Sequence, residues 1–502
     1  MTRLARPLEA AALGVVLLLA AVLATGGWTV AGFPLTRAED LVVLLAAIVA
    51  LRGLLAPLPW APTPCPRAVA AGVLGYAVVM GFIVLSRHFA LRTHALDLGQ
   101  YLQVIWSIAA GHGAYTTLPP VHFWGEHLSL VFYLLAPLVW VVPGAAVLLV
   151  AQAVILGAGA LLVFGYASRR LGAPAAAAPF GLLYLLNPSL HGINIRDIHP
   201  QAFAIPLVIV AALAFDAGRY WWCGAALVGT LACREDAAIA VVGFALWLAI
   251  ARGRWRLGVG LGVASVLLLA LDLSYVMPYF RGAPYPHLQR YAHLGSSLGD
   301  ILLSLAVRPW RWIGAVSTPE KLVYLLALLL PLGALPLLAP RALVAALPGL
   351  AMNLLSFDHA LFHYRSQYQA FVLPFLMLAA VDGYARLRGH RKAGAVLALA
   401  FLASVVLTAR TANDLMVTRW RLGPEQRAAH ALMGRIPHSV PLSVNERLVP
   451  HLATRREIFI YPTGAGRSDY ILDLESVLAA RPAPGYREIG RSGGWILLQR
   501  AA

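Results

Sequence analysis

Ionisable residues gather at a few places in an otherwise apolar chain. Asp97 stands in THALDLGQY, Glu126 and His127 in HFWGEHLS, and Arg196, Asp197 and His199 in NIRDIHP. Further along come Arg234, Glu235 and Asp236 in CREDAA, then His363, Tyr364 and Arg365 in FDHALFHYR. A carboxylate in such a set can accept the proton of an attacking hydroxyl. Guanidinium and imidazolium groups can neutralise a departing phosphate. Taken singly, none of these residues needs a function, because loops that touch water or lipid headgroups are ordinarily charged. Convergence from distant segments means more, since ionisable groups at membrane depth are costly and either pair or line a cavity. CRED is the sharpest case, for it separates two apolar stretches of only about 15 residues each, short for a crossing unless tilted.

The elements that must position these residues are membrane helices. Of the 502 residues 60% are hydrophobic and 12% charged, and the mean hydropathy is +0.74. No soluble domain averages that. Apolar runs near the roughly 20 residues needed to cross a bilayer recur along the chain. The first of them is long, lacks a small-x-small cleavage site and is followed by a second run, so it reads as an anchor rather than a leader. A net charge of +17 would suggest nucleic acid in a soluble protein. Here the arginines fall largely in short loops between apolar runs, where topology accounts for them, and nucleic acid is set aside as a partner. Cys65, Cys223 and Cys233 show no metal-ligand spacing, and the latter two lie in an apolar segment where inert packing is expected. Nothing in the sequence fixes an oligomeric state.

Orientation follows from the loops. ARGRWR (251–256) and RLRGHRK (386–392) are strongly basic and are assigned to the cytoplasm. Counting outward puts 187–200, 278–320 and 357–366 outside, and with them every residue named above. One conflict arises: if 127–142 crossed, SRRLGAP (168–174) and the basic N-terminus could not both be inside. That segment is short and broken by Pro137, so it is read as re-entrant or interfacial. About 13 helices then span, with the N-terminus inside and the C-terminus outside.

The expected fold is therefore an all-α polytopic membrane protein with a small extracytoplasmic α/β C-terminal domain. Residues 1–66 form two additional N-terminal helices, 67–410 the transmembrane core with a first outer loop at 90–127, and 411–502 the outer domain. In that last part the long apolar runs give way to short β-type stretches, VPLSV, EIFIYP, DYILDL and WILLQ, behind a helical PEQRAAHALMGRI. LDLGQYLQVIWSIAAG spaces Leu98, Tyr101, Leu102, Ile105 and Trp106 along one helical face with Gln100, Gln103 and Ser107 between them, which suits a helix lying in the membrane interface. An acid beside such a helix suits a substrate that is itself half lipid.

Several of these stretches, in order over roughly residues 70 to 475, resemble an uncharacterised family of prokaryotic integral membrane proteins. They include LDLGQYLQVIWSIAAG, LLYLLNPSLHGINIRDIHPQAFAIPL, CREDAAIAV, HYRSQYQAFVLPFLMLAAVDG and VNERLVPHLATRREIFIYP. That family, known as a domain of unknown function, is similar to the C-type (GT-C) glycosyltransferases. The resemblance implies a plasma-membrane enzyme that takes a sugar from a polyprenyl-phosphate carrier and transfers it, with inversion, to an extracytoplasmic acceptor. It also implies an acid in the first outer loop near the reacting centre, a position that falls on Asp97. The loop offers ALDLG, a single acid without an Asp-x-Asp pair, so a divalent metal is doubtful and no cofactor is expected. On this reading Asp97 is the base and Arg234 the main phosphate contact, with Arg196 or His199 as second donors. Asp197, Glu126, His127, Glu235, Asp236, His363, Tyr364 and Arg365 complete a polar lining for a lipid-linked sugar donor, among membrane lipids. Two other classes fit the same inventory: a transporter or flippase of lipid-linked saccharides, and a noncatalytic membrane scaffold.

Overall fold

The computed structural model describes residues 5–30, 32–55 and 66–501; Cys65 lies outside them. Among the described residues five helices are long and apolar enough to cross a membrane: Arg6–Thr25, Pro66–Phe89, Ala145–Leu171, Trp255–Arg281 and Ala393–Leu415. A sixth crossing is formed if Pro309–Val316 and Pro319–Leu332, bent by 66°, act as one span. The remaining apolar segments are shorter helices, so the sequence count of 13 rests on pieces such as Pro174–Leu185 and Pro340–Leu355.

Local sequence explains the short pieces. Leu186 ends the helix Pro174–Leu185, and Asn187 caps the next one, its side chain accepting from the Ser189 N–H at 2.9 Å ahead of Pro188 at the first turn. The helix Pro188–Ile195 is thereby set off from its predecessor and delivers Arg196–His199 at its C-terminal end. Gly192 is required there: a Cβ would collide with the backbone of Arg365, so this helix lies directly on the 357–366 loop. CRED acts in the same way, separating Tyr220–Leu231 from Ala238–Leu246. The segment 127–142 contains the helix Phe132–Val141, ten residues with Pro137 inside. That is about 15 Å of helix, half a hydrocarbon core.

The first two helices, Ala5–Thr25 and Ala38–Leu55, are joined by a hairpin of β1 (Trp28–Val30) and β2 (Phe33–Leu35). An Arg52–Glu9 ion pair of 2.7 Å ties them together. After residue 410 comes the helix Pro424–Met433 and a five-stranded sheet of β3 (Leu442–Val444), β4 (Ile458–Ile460), β5 (Tyr470–Leu474), β6 (Tyr486–Ser492) and β7 (Trp495–Arg500). The strand order is β4-β3-β5-β7-β6, with β3 parallel to both neighbours and β7 antiparallel to both of its own. Four strands fall on the stretches expected from sequence. β6 does not, because YREIGRS has no apolar run and most of its residues are half or fully exposed at the sheet edge.

The domain sits on the first loop. Gln103, fully buried, donates to the carbonyls of Arg455 and Arg456 at 3.3 and 3.0 Å and accepts from Thr116 and Thr117. Thr117 in turn accepts from the Ile458 N–H at 3.1 Å. The polar face of the helix Gln100–Ala109 thus meets protein where headgroups were expected, and Gln100, Gln103 and Ser107 are all buried.

Candidate functional site

Asp97 lies on a single π-helical turn, Ala95–Gly99, that opens the helix Gln100–Ala109. Such turns interrupt the regular backbone ladder and are frequent at functional sites. The side chain is half-buried, and among the described residues its carboxylate has no hydrogen-bond or ion-pair partner. The other acids singled out from sequence are all engaged.

Asp197, 3% exposed, accepts from the His94 backbone N–H at 2.9 Å and faces the His94 ring at 3.2 Å. Its loop is held from behind by Gln152, whose amide donates to the Asp197 carbonyl and accepts from the His199 N–H, both at 2.9 Å. One buried glutamine therefore fixes the backbone of RDIH, and RDIH fixes the residue three places before Asp97. The hydrogen bond to Asp197 raises the His94 imidazole above its ordinary value, and partial burial opposes this. Burial pushes His199 below its ordinary value, so this side chain is a neutral hydrogen-bonding group at pH 7 rather than a second cation.

Around CRED the charges close on one another. Glu235 accepts from the Leu128 N–H at 3.1 Å and the Tyr285 hydroxyl at 3.2 Å, with His127 Nδ1 3.0 Å away. Arg234, 4% exposed, forks onto Asp236, with its Nε 2.8 Å from Oδ1, and its guanidinium lies 5.5 Å from the centre of the Tyr368 ring. Gln201, with its amide oxygen turned inward, accepts from the same guanidinium. Arg234 is therefore saturated by the protein, unlike the open phosphate contact expected of it. Glu126 pairs with Arg281. Tyr101 bridges the two halves, being buried within electrostatic reach of Asp97 on one side and of Arg234, Tyr368 and Glu235 on the other.

Two hollows flank this centre. An apolar groove of 300 Å³ runs between Val266, Leu269 and Leu273 on one wall and Met352 and Leu355 on the other, with Asp236, Tyr285, Arg290 and Tyr368 at its polar end. Arg290 pairs with Asp358 at 3.0 Å and lies 5.3 Å from the centre of the Tyr368 ring. The second hollow, of 840 Å³, is polar and is lined by Arg196, His363 and Arg365 together with further arginines described below. Burial, with Arg196 adding to it, pushes His363 down to about 4. Among the described residues the Arg365 guanidinium makes a long 3.4 Å contact to the Thr411 hydroxyl, and its Nη1 is buried without a partner. Tyr364, half-buried, stacks on His363 with ring centres 5.3 Å apart.

The structure thus brings Asp97, Arg196, Asp197, His199 and the CRED residues together around the first loop, with His363 to Arg365 on the side of the polar hollow. Sequence reasoning missed Asp272, 7% exposed and within electrostatic reach of Glu235. An acid inside the apolar run LLLALDLSYV was signal enough to find it. It also missed Tyr285, Arg290 and Tyr368, whose loops carry no distinguishing pattern. Among the described residues no group of three or more His, Cys, Asp and Glu side chains could hold a metal ion.

A mostly helical core with several apolar helices long enough to cross a membrane, an acid-bearing first loop and a small domain seated on it define the class: an integral membrane protein with a small α/β domain. The chain belongs to the family described as "Predicted membrane protein (DUF2079)", whose model matches residues 87–494. Two solved structures share the fold. ArnT from Cupriavidus metallidurans bound to undecaprenyl phosphate aligns with a TM-score of 0.53 at 14% identity, covering 86% of this chain and 97% of that one. The apo form of the same protein gives 0.52 at 14% identity, with 86% and 98% covered. No curated protein matches in sequence.

Proposed function

We propose that the protein is a membrane glycosyltransferase that moves a sugar from a polyprenyl-phosphate donor to a hydroxyl acceptor outside the cytoplasm, with Asp97 as the base. The observation that carries this reading is that Asp97, alone among the acids singled out in the sequence, has a carboxylate free of partners. A base must be free to take a proton; Asp197, Glu235, Asp236 and Glu126 are committed to His94, His127, Arg234 and Arg281. The ArnT fold and the undecaprenyl phosphate bound to ArnT support the lipid-linked donor by analogy.

In the reaction the acceptor oxygen bonds to the anomeric carbon from the face opposite the phosphate. The bond from that carbon to the phosphate oxygen breaks, its electron pair leaves with the lipid phosphate, and the acceptor proton passes to Asp97. The leaving group departs as a weak base and needs positive charge rather than a proton. The isoprenoid chain lies in the apolar groove, and Arg290 at its polar end contacts the phosphate. Arg234, held by Asp236, adds its charge from behind Tyr368. Thirteen crossings remain the count we favour, with the shorter apolar helices counted as spans beside the long ones, and the basic loops support an inside N-terminus and an outside C-terminal domain.

The test is release of polyprenyl phosphate from a polyprenyl-phosphate hexose by the purified protein in nanodiscs, in the presence of an envelope extract as acceptor. Release by the wild type that is lost in Asp97→Asn is expected. No release with any hexose, or equal release by well-folded Asp97→Asn, contradicts the proposal.

A further inference from the structure

The polar hollow is more cationic than a lipid-phosphate donor requires. Arg87 and Arg92, from the end of the helix Pro66–Phe89 and the loop after it, form one wall, and Arg196 and Arg365 another. Arg410 and Arg419 close a third side, and Arg37 reaches in from just after the β1–β2 hairpin. Against these seven arginines stand two carboxylates, Glu39 and Asp414. Glu39 is taken by Arg37, while Asp414 is shared loosely by Arg87 and Arg92 at 3.6 and 3.7 Å.

Like charges are therefore crowded without enough acid to neutralise them. Burial, and next the neighbouring Arg87, push the Arg92 guanidinium below its ordinary value. The Nε atoms of Arg87 and Arg92 are buried with no partner, as is Nη1 of Arg365. Buried donors are normally satisfied, and each one left open costs stability unless something else completes it. Arginine forks match phosphate oxygens. The hollow has almost no apolar wall, with Gly192 and Ile195 its chief non-polar contributors, so it suits a headgroup or soluble group and not an isoprenoid chain.

Resting on the glycosyltransferase reading, we infer that this hollow binds the acceptor, and that the acceptor is a polyanion carrying two or more phosphate groups. The segment 196–201 links it to the groove: Arg196 lines the hollow, while Gln201 contacts Arg234, whose partners Asp236 and Tyr368 line the groove. His199 lies within electrostatic reach of Asp97, Arg196 and Arg234 alike. An acceptor anchored by its phosphates in the hollow presents its hydroxyl toward Asp97, where the donor sugar arrives from the other side. Arg37 and Glu39 stand at the start of the second helix, Ala38–Leu55, outside the stretch that the family model matches, so this chain's own N-terminal segment helps select the acceptor.

The test uses the full-length protein in nanodiscs of phosphatidylcholine, with inorganic tripolyphosphate as probe and calorimetry as readout. Saturable binding that weakens steeply with salt is expected, at least tenfold weaker in Arg196→Gln/Arg410→Gln and unchanged in Asp97→Asn. Should the double variant not fold, Arg37→Gln, on an exposed side chain, is expected to weaken binding about threefold, the loss of one charge contact among several. A parallel arm adds cardiolipin to the nanodiscs. Binding of cardiolipin by these arginines without binding of tripolyphosphate makes the occupant a membrane phospholipid and overturns the inference, as does tripolyphosphate binding indifferent to the substitutions. Loss of sugar transfer with tripolyphosphate binding intact would instead fault the glycosyltransferase reading alone.

Discussion

The apolar groove and the arginine hollow are linked through the segment 196–201, and they treat charge in opposite ways. Beside the groove the polar groups close on one another: Arg234 has Asp236, Arg290 has Asp358, and Glu235 lies against His127. In the hollow the cations outnumber the acids and several guanidinium nitrogens are left open. A closed set of pairs holds a shape and attracts a further anion more weakly, whereas an open set is incomplete without an anion. On the proposed reading one side takes an uncharged chain and a single phosphate, and the other a polyanion. Asp97, on the first loop within electrostatic reach of Tyr101 and His199, has no partner among the described residues.

The comparison can be broken most directly at Asp97. Asp97→Asn keeps size and hydrogen-bonding reach but cannot take the acceptor proton, and transfer is expected to fall by about 10²- to 10⁴-fold with thermal stability unchanged. The closed side breaks differently. Glu235→Ala strands His127 and part of the charge of Arg234 in a buried site, and about 3–5 kcal/mol of stability should be lost, read by thermal unfolding in nanodiscs. A Glu235→Ala protein that unfolds like the wild type would show that the pairs do not hold the groove.

On the open side, His363 sharpens the contrast. Burial, with Arg196 beside it, pushes it down to about 4, so at pH 7 it carries no charge. His363→Gln should leave tripolyphosphate binding at pH 7 within about twofold of wild type, as expected for loss of a neutral side chain. Clear weakening would mean that the imidazole is charged when an anion is bound.

The smallest effect is expected at His94. Its ring is raised by Asp197, so the extra stabilisation of the first loop is fully present below the ordinary histidine value and is lost as pH rises through the raised one. Its side chain is 62% exposed, so solvent screens most of the gain. The unfolding temperatures of wild type and His94→Gln should differ slightly at pH 5.5 and converge at pH 8.5. A gap that widens with pH would reverse the assignment.

Much of the site was legible because membrane depth makes a charged residue informative. RDIH, CRED and the acid of ALDLG stood out against apolar surroundings, and Asp272 would have done so under the same rule. What could not be read was which charges neutralise one another. Glu235 meets His127 and Glu126 meets Arg281 across long stretches of chain, and only folding decides that Asp97 is left over. Of the arginines of the hollow, Arg196 and Arg365 stood out with their motifs, but Arg37, Arg87, Arg92, Arg410 and Arg419 were hidden for another reason: they stand close to the ends of apolar runs, where topology alone accounts for them. Helix starts were readable from caps and prolines. Helix lengths were less so, because interruptions such as Asn187-Pro188 and CRED cut continuous apolar patterns into short pieces.

The central claim is that donor and acceptor occupy different hollows. An electron-microscopy map of the protein in nanodiscs with added undecaprenyl phosphate tests it most directly. The account predicts isoprenoid density along Val266 and Leu269 with the phosphate beside Arg290; a phosphate lodged among Arg87, Arg92 and Arg196, with the groove empty, would contradict it.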